Sequence, residues 1–243
     1  MAQSIAKVRL DTMHFTEANQ RIREALEGAD VVQVWDAFAQ RYLGCGMPSG
    51  KRLEIHGVPG NDMACYMDGG QIEVFGDAQD QVANTMNEGD IVIHGRVGDA
   101  AGYGMRGGRI LVRDGCGWRV GIHMKQYQDH FPKIVVGGDA GSFLGEYMAG
   151  GVIVLLGKPG PYMASGMHGG VIYLRFPPEA ADLPSGVVVK ELNDQDLVVL
   201  GGLLDQYNQA FEAELDRPID VSCAGFVKLV PESSRPYAHM YAH

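Results

Sequence analysis

Gly138-Asp-Ala-Gly-Ser-Phe-Leu-Gly-Glu-Tyr-Met-Ala-Gly-Gly-Val-Ile-Val-Leu-Leu-Gly157 contains one full turn of the pattern that decides the fold. A glycine signature, G-x-x-G-x-x-x-G at Gly138, Gly141 and Gly145, leads to Met148, a Gly150-Gly151 turn and a short apolar strand, Ile153-Val-Leu155. The same order recurs on both sides. Methionines stand at Met67, Met86, Met105, Met124, Met148 and Met167, in steps of 19, 19, 19, 24 and 19, so one coil carries five extra residues. Turns recur at Gly69-Gly70, Glu88-Gly89, Gly107-Gly108 and Gly169-Gly170. Strands recur as Ile72-Glu-Val74, Ile91-Val-Ile93, Ile110-Leu-Val112, Ile134-Val-Val136 and Ile172-Tyr-Leu174, with an upstream copy at Leu53-Glu-Ile55. The glycine signature returns at Gly95, Gly98 and Gly102, and more loosely at Gly57, Gly60, Ala64 and at Gly157, Gly160, Ala164. A fixed period of this length marks a solenoid or array.

Alternation within each strand puts its first and third residues on one face. Kept in phase, Leu53, Ile72, Ile91, Ile110, Ile134, Ile153 and Ile172 stack as one inward ladder. Ile55, Val74, Ile93, Val112, Val136, Leu155 and Leu174 form the next. The reading is a mainly β protein, a right-handed parallel β-helix of about seven coils and about 30 Å in height. Its 34 glycines sit at corners where φ is positive or backbones approach closely. Midway between the ladders, Glu54, Glu73, Val92, Leu111, Val135, Val154 and Tyr173 point outward. The two charged rungs read as a solvated face. The five apolar rungs form a strip that needs a cover.

The flanks supply candidates for it. The expected organisation is an N-terminal helical cap over 1–50, the β-helix over 51–176 and a C-terminal helix and tail over 177–243, packed on the coils. A helix is predicted over 16–26, capped by Thr16, with Ala18, Ile22, Ala25 and Leu26 on one face. A second is predicted over 31–42. A third runs from an Asn193 cap to about Leu215, with Leu197, Leu200, Leu204, Tyr207 and Phe211 as its stripe and Gly201-Gly202 inside it. Open β-helix ends need caps, and the flanking helices fit that need. The last helix is also the favoured cover for the apolar strip, ahead of a partner subunit.

Composition restricts the function. The net charge of −10 argues against nucleic acid or an anionic membrane as a partner. No apolar run suits a bilayer and no signal-peptide core is present, so the expected compartment is the cytoplasm. Cys45, Cys65, Cys116 and Cys223 include no C-x-x-C pair and read as free thiols. Gly102-Tyr-Gly-Met-Arg-Gly107 matches G-x-G-x-x-G, but it precedes a strand where a dinucleotide fold needs a helix. His56 and His94 share a coil position two coils apart, too far to share a metal, and His123 and His168 read as corner residues. Asp80 and Asp99, with Asn61 above, stack as paired carboxylates do in glycoside hydrolysis. Corner hydrogen bonding explains them more simply, and clustered aromatic platforms are not expected at 8% aromatic content. The residues therefore suggest no catalytic, cofactor-binding or metal-binding set. The 125–132 insertion, Lys-Gln-Tyr-Gln-Asp-His-Phe-Pro, is an expected surface loop and a candidate contact.

These coils resemble the GXGXG domain, the β-helical part of the glutamate synthase large subunit. The stretch quoted at the outset, with Glu146-Tyr-Met148 before Gly150-Gly151, carries the resemblance most specifically. Gly166-Met-His-Gly-Gly-Val-Ile-Tyr173, Ile91-Val-Ile-His-Gly95 and Gly121-Ile-His-Met-Lys125 look like a stand-alone version of the domain, and so do Phe226-Val-Lys-Leu-Val-Pro231 and Ser234-Arg-Pro-Tyr237. The resemblance implies a non-catalytic scaffold. Glutamine amidohydrolase and flavin-containing synthase subunits would be partner chains carrying the reductive amination of 2-oxoglutarate, with FMN and iron–sulfur clusters on those chains and none here. Homo-oligomerisation stays open. The alternative is the glycine-coil component of formylmethanofuran dehydrogenase, or its counterpart in the related formyltransferase–hydrolase complex, whose repeats resemble these. A β-helical carbohydrate-active enzyme is the second alternative.

Overall fold

Across successive parallel strands, Val32 faces Leu53, Leu53 faces Ile72, Ile72 faces Ile91, and the ladder continues through Ile110, Ile134 and Ile153 to Ile172. This register comes from a computed structural model, which describes residues 3–179, 182–220 and 225–233. The elements are β1 (Ile5–Arg9), α1 (Phe15–Gly28), β2 (Val31–Phe38), β3 (Arg52–Val58), β4 (Asp68–Phe75), β5 (Glu88–Ile93) and β6 (Arg109–Val112). They continue as β7 (Lys133–Val136), β8 (Ala149–Leu155), β9 (Gly169–Leu174), β10 (Val187–Lys190), α2 (Asp194–Ala210) and β11 (Val227–Pro231). One 11-stranded sheet runs β1 through β9 in order, then β11 and β10. The chain is a β-solenoid of about 8 turns, as the glycine period requires, and its described residues include two α-helices. Both inward ladders are buried, and Met67, Met86, Met105, Met124 and Met148 line the same core at 0% exposure.

The corners explain the glycine signature. In each coil three residues at alternate positions are left-handed, for example Asp62, Ala64 and Tyr66 (φ 59°, 59° and 55°). Alternation sends amides to neighbouring coils in turn: Gln81 N donates to Asp99 O at 2.7 Å, Ala83 N to Met63 O at 2.8 Å and Thr85 N to Tyr103 O at 2.8 Å. A corner without strand pairing thus still satisfies its backbone. The middle residue faces the core and is always glycine or alanine: Gly44, Ala64, Ala83, Gly102, Gly121, Gly145, Ala164.

The N-terminal region departs from expectation. Residues 31–42 are not helical; their first part is β2, the additional coil. Val32 and Val34 alternate inward with the ladders and are β-branched, which suits a pleated strand. A bulge at Asp36, between Val34 and Ala37, lengthens this coil and hides it from the 19-residue count. The 1–50 region is therefore not simply a helical cap, because β1 and β2 extend the sheet. Only α1 closes that end, burying Ala18, Ile22 and Leu26 against Leu10, Leu43 and Met47, with Ala25 half-buried. Its cap is His14, whose Nδ1 accepts from Thr16 N at 3.4 Å, and not Thr16.

At the other end strands do the closing. β11 pairs antiparallel with β9, β10 pairs with β11, and Leu229 and Val187 join the core. The second helix does not cap; it lies along the flank. Asn193 caps it in a capping box with Asp196, and it ends at Ala210, short of Leu215. Leu197 is 43% exposed, while Asp196 and Leu203 face inward with Leu200, Leu204 and Tyr207. The insertion at 125–132 folds as a tight turn in which Tyr127 and His130 exchange backbone bonds of 3.2 and 3.0 Å. No described helix is long and apolar enough to cross a membrane.

Candidate functional site

The motifs that tempted from sequence serve the backbone. Gly102-Tyr-Gly-Met-Arg-Gly107 forms a corner and runs into β6, with no helix to receive a phosphate. Asp80 Oδ1 accepts the Asp99 amide at 2.9 Å, Asp99 Oδ1 accepts the Trp118 amide at 2.8 Å, and Asn61 Oδ1 accepts the Asp80 amide at 3.4 Å. A second such column joins Asp77 Oδ1 to Arg96 N and Asp139 Oδ1 to Lys158 N, both at 2.7 Å. Each carboxylate ties its coil to the next. Cys45 is exposed and Cys65 and Cys116 are buried. Burial pushes the Cys65 and Cys116 thiols up to about 12. Cys223 lies outside the described residues. Among the described residues no three His, Cys, Asp or Glu side chains gather as metal ligands.

His56 and His94 belong to a column of rings: Trp35, His56, Phe75 and His94 stack with centroids 3.8, 4.6 and 5.1 Å apart. Phe211, just beyond α2, meets His94 edge-on at 5.3 Å. His94 Nε2 lies 2.9 Å from Glu73, and its Nδ1 is bonded to Glu214. The network continues from Glu73 to Arg52, which also lies 3.0 Å from Glu54, and from Glu214 to Arg113, which meets Asp114 at 2.9 Å. Glu54 and Glu73 are therefore half-buried members of an ion network, not a free solvated face. The bond to Glu73, helped by Glu214, raises the His94 pKa above its usual value, although burial opposes this. The bond to His94 lowers the Glu73 carboxyl, with Arg52 assisting. Burial alone would raise Glu214, but Arg113 and His94 bring it below its usual value.

The apolar strip is covered by the chain itself. Leu111, Val135, Val154 and Tyr173 are buried against Leu200, Leu203, Leu204, Tyr207 and Phe211, with Val92 at the margin. Tyr207 Oη donates to Arg113 O at 2.9 Å, and Tyr173 Oη donates to Asp196 Oδ1 at 2.9 Å. Lys228 from β11 pairs with the other Asp196 oxygen. Burial would raise this carboxyl, but the Asn193 amide, Lys228 and Tyr173 hold it low.

Two of the open surfaces carry polar and charged linings of interest. A polar channel of about 660 Å³ follows the Gly-Gly turns, with Asp129, His130 and Phe131 of the insertion on its wall. Its Arg109 is matched by Asp90 at 2.8 Å. The other surface is the left-handed corner. There His123 stacks on Tyr147 (5.3 Å, 11°) and meets Tyr103 edge-on, while Phe143 stacks on Tyr162 (5.0 Å, 19°) under Arg119. A depression of about 380 Å³ lies beside them, lined by Tyr103, Arg106, His123, Lys125, Tyr147 and His168 among others. The expectation that aromatics would not cluster was wrong. The coil period gathers them, and the 24-residue step between His123 and Tyr147 is the insertion that disguised it.

A long parallel β-helix with glycine signatures at its corners defines a class of structural repeat. The chain belongs to the GXGXG motif family, whose model matches residues 32–231. It is similar to an uncharacterised protein of Methanocaldococcus jannaschii, 36% identical over 243 residues, which covers 94% of this chain and 93% of that one.

Proposed function

We propose that this chain is the non-catalytic scaffold subunit of a glutamate synthase-like complex. The observation that carries the reading is the GXGXG match over 32–231, which takes in all but one strand of the solenoid. The chemistry supports it. Asp80 and Asp99 each accept a neighbouring coil's amide and His94 is held by two carboxylates, so each has a structural role in tying coils or flank together. Partner chains would supply glutamine hydrolysis and flavin- and iron–sulfur-dependent amination, and the rigid coils would hold them at a fixed separation. Mixing the purified chain with the candidate amidohydrolase and synthase subunits of the same genome tests this. The expected result is a stable complex whose glutamine-dependent synthesis of glutamate requires this chain, which alone turns over no glutamine and carries no flavin absorbance. Glutaminase activity of the isolated chain, or full coupling without it, would refute the reading.

A further inference from the structure

We infer that the left-handed corner face, centred on Arg106 and Lys125, is a docking surface for a carboxylate-bearing surface of a partner subunit. The identity of that partner rests on the function proposed above.

Charge singles the face out. The protein carries a net charge of −10, yet the depression beside Tyr103 and Tyr147 is lined by Arg106, Lys125, His123 and His168 and by no acid. Among the described residues, neither Arg106 nor Lys125 meets a carboxylate within salt-bridge distance. Around the depression buried Glu146 pairs with Arg119 at 3.0 Å and buried Asp62 accepts from Asn84 at 3.2 Å, while the exposed carboxylate of the same column, Asp68, lies two coils from Arg106. A cationic island in an acidic molecule selects and orients an acidic surface.

The aromatic content points to a protein. Tyr66, Tyr103, Trp118, Tyr147 and Tyr162 are 58%, 40%, 55%, 42% and 62% exposed on coils that span about 24 Å of stack. Tyr, Trp and Arg are the residues that dominate protein interfaces. Sugar-binding platforms need open ring faces. Here His123 covers one face of Tyr147, and the Gly166 backbone lies so close that an added Cβ would sit 2.5 Å from that ring. Tyr162 is likewise stacked on Phe143. Tyr147 therefore presents its edge and hydroxyl, which suits hydrogen bonding to a partner's polar groups. The exposed tyrosines also extend well beyond the depression, farther than a small anion could reach.

Binding of the purified amidohydrolase and synthase subunits to the full-length chain tests the proposal. With wild type bound, Arg106→Glu/Lys125→Glu should weaken affinity at least about 100-fold, and Arg106→Lys/Lys125→Arg should keep it within about fivefold. Tyr162→Ala, outside the depression, should weaken it about tenfold. Arg106 and Lys125 are exposed and meet no described carboxylate, so the thermal midpoints of their variants should match wild type; Tyr162→Ala also loses its stack on Phe143 and should stay folded at a slightly lower midpoint. Undiminished binding by the charge-reversed chain, or by Tyr162→Ala, would overturn the docking surface while the scaffold reading stood. Binding of polygalacturonate to wild type, abolished by charge reversal, would overturn the protein assignment in favour of an acidic polysaccharide. Failure of wild type to bind either subunit would overturn the scaffold reading and the partner named here together.

Discussion

At the inner corner a methyl group is the largest side chain the fold accepts. A Cβ on Gly102 would approach Ile134 Cδ1 at 2.6 Å, the movable tip of a side chain, and equivalent coils already hold left-handed Ala64, Ala83 and Ala164. Gly157 differs, because a Cβ there would lie 2.2 Å from the carbonyl carbon of Gly138 in the coil before it. Gly102→Ala should therefore cost about 1 kcal/mol, the left-handed penalty, and Gly157→Ala at least about 3 kcal/mol, since backbone must move. Urea denaturation measures both, and the reverse order would show that the corners are packed otherwise. Ile110, fully buried between Ile91 and Ile134, gives a second check. Ile110→Asp buries an unpaired charge and should remove more than about 4 kcal/mol. Soluble protein with unchanged thermal stability would show that the register is wrong. These positions were readable from sequence because each repeats, and a repeat displays its own tolerated substitutions. His94 was not readable as a clamp, because Glu214 lies 120 residues away and nothing periodic connects them.

Among the elements, α2 shows where periodicity informs and where it fails. Its Asn193 cap and its role as cover follow from local sequence. Its phase does not. Periodicity alone turns Leu197 inward, but Asp196 goes there because Lys228 and Tyr173 await it, and that compensation comes from other elements. The second strand failed for a different reason: its step to the next coil is 21, and the bulge at Asp36 supplies one of the two extra residues that broke the 19-residue count. Helix α2 also carries a testable weakness. Gly201 and Gly202 sit mid-helix with nothing within 4 Å of an added Cβ. Alanine at either site should raise stability by about 1 kcal/mol, since it gains helix propensity and meets no neighbour. A calorimetric midpoint that fell on Gly201→Ala or Gly202→Ala would mean that the helix face is not open as described.

Over the whole molecule, coils and flank are joined through a titratable group, the His94 imidazole. His94 sits just past the end of β5 and holds Glu73 of β4 and Glu214 beyond α2 at once. An imidazolium has two N–H donors for two carboxylates, whereas neutral imidazole has one, so deprotonation must release one partner. The histidine's folded pKa is raised above its ordinary 6.5, so its stabilisation is complete below that value and is lost as pH rises through the raised one. Glu73 and Glu214 are lowered from 4.5, so their share is present above that value and lost as pH falls through the lowered ones. The clamp should therefore be strongest between about pH 4.5 and 6.5. We expect the stability gap between wild type and His94→Gln to be widest near pH 5.5 and to narrow steadily toward about pH 9. Amide hydrogen exchange, corrected for its intrinsic pH dependence, should show earlier opening of α2 at the alkaline end in wild type alone. A gap constant across this range would mean that His94 holds the flank by packing between Phe75 and Phe211, with its charge playing no part.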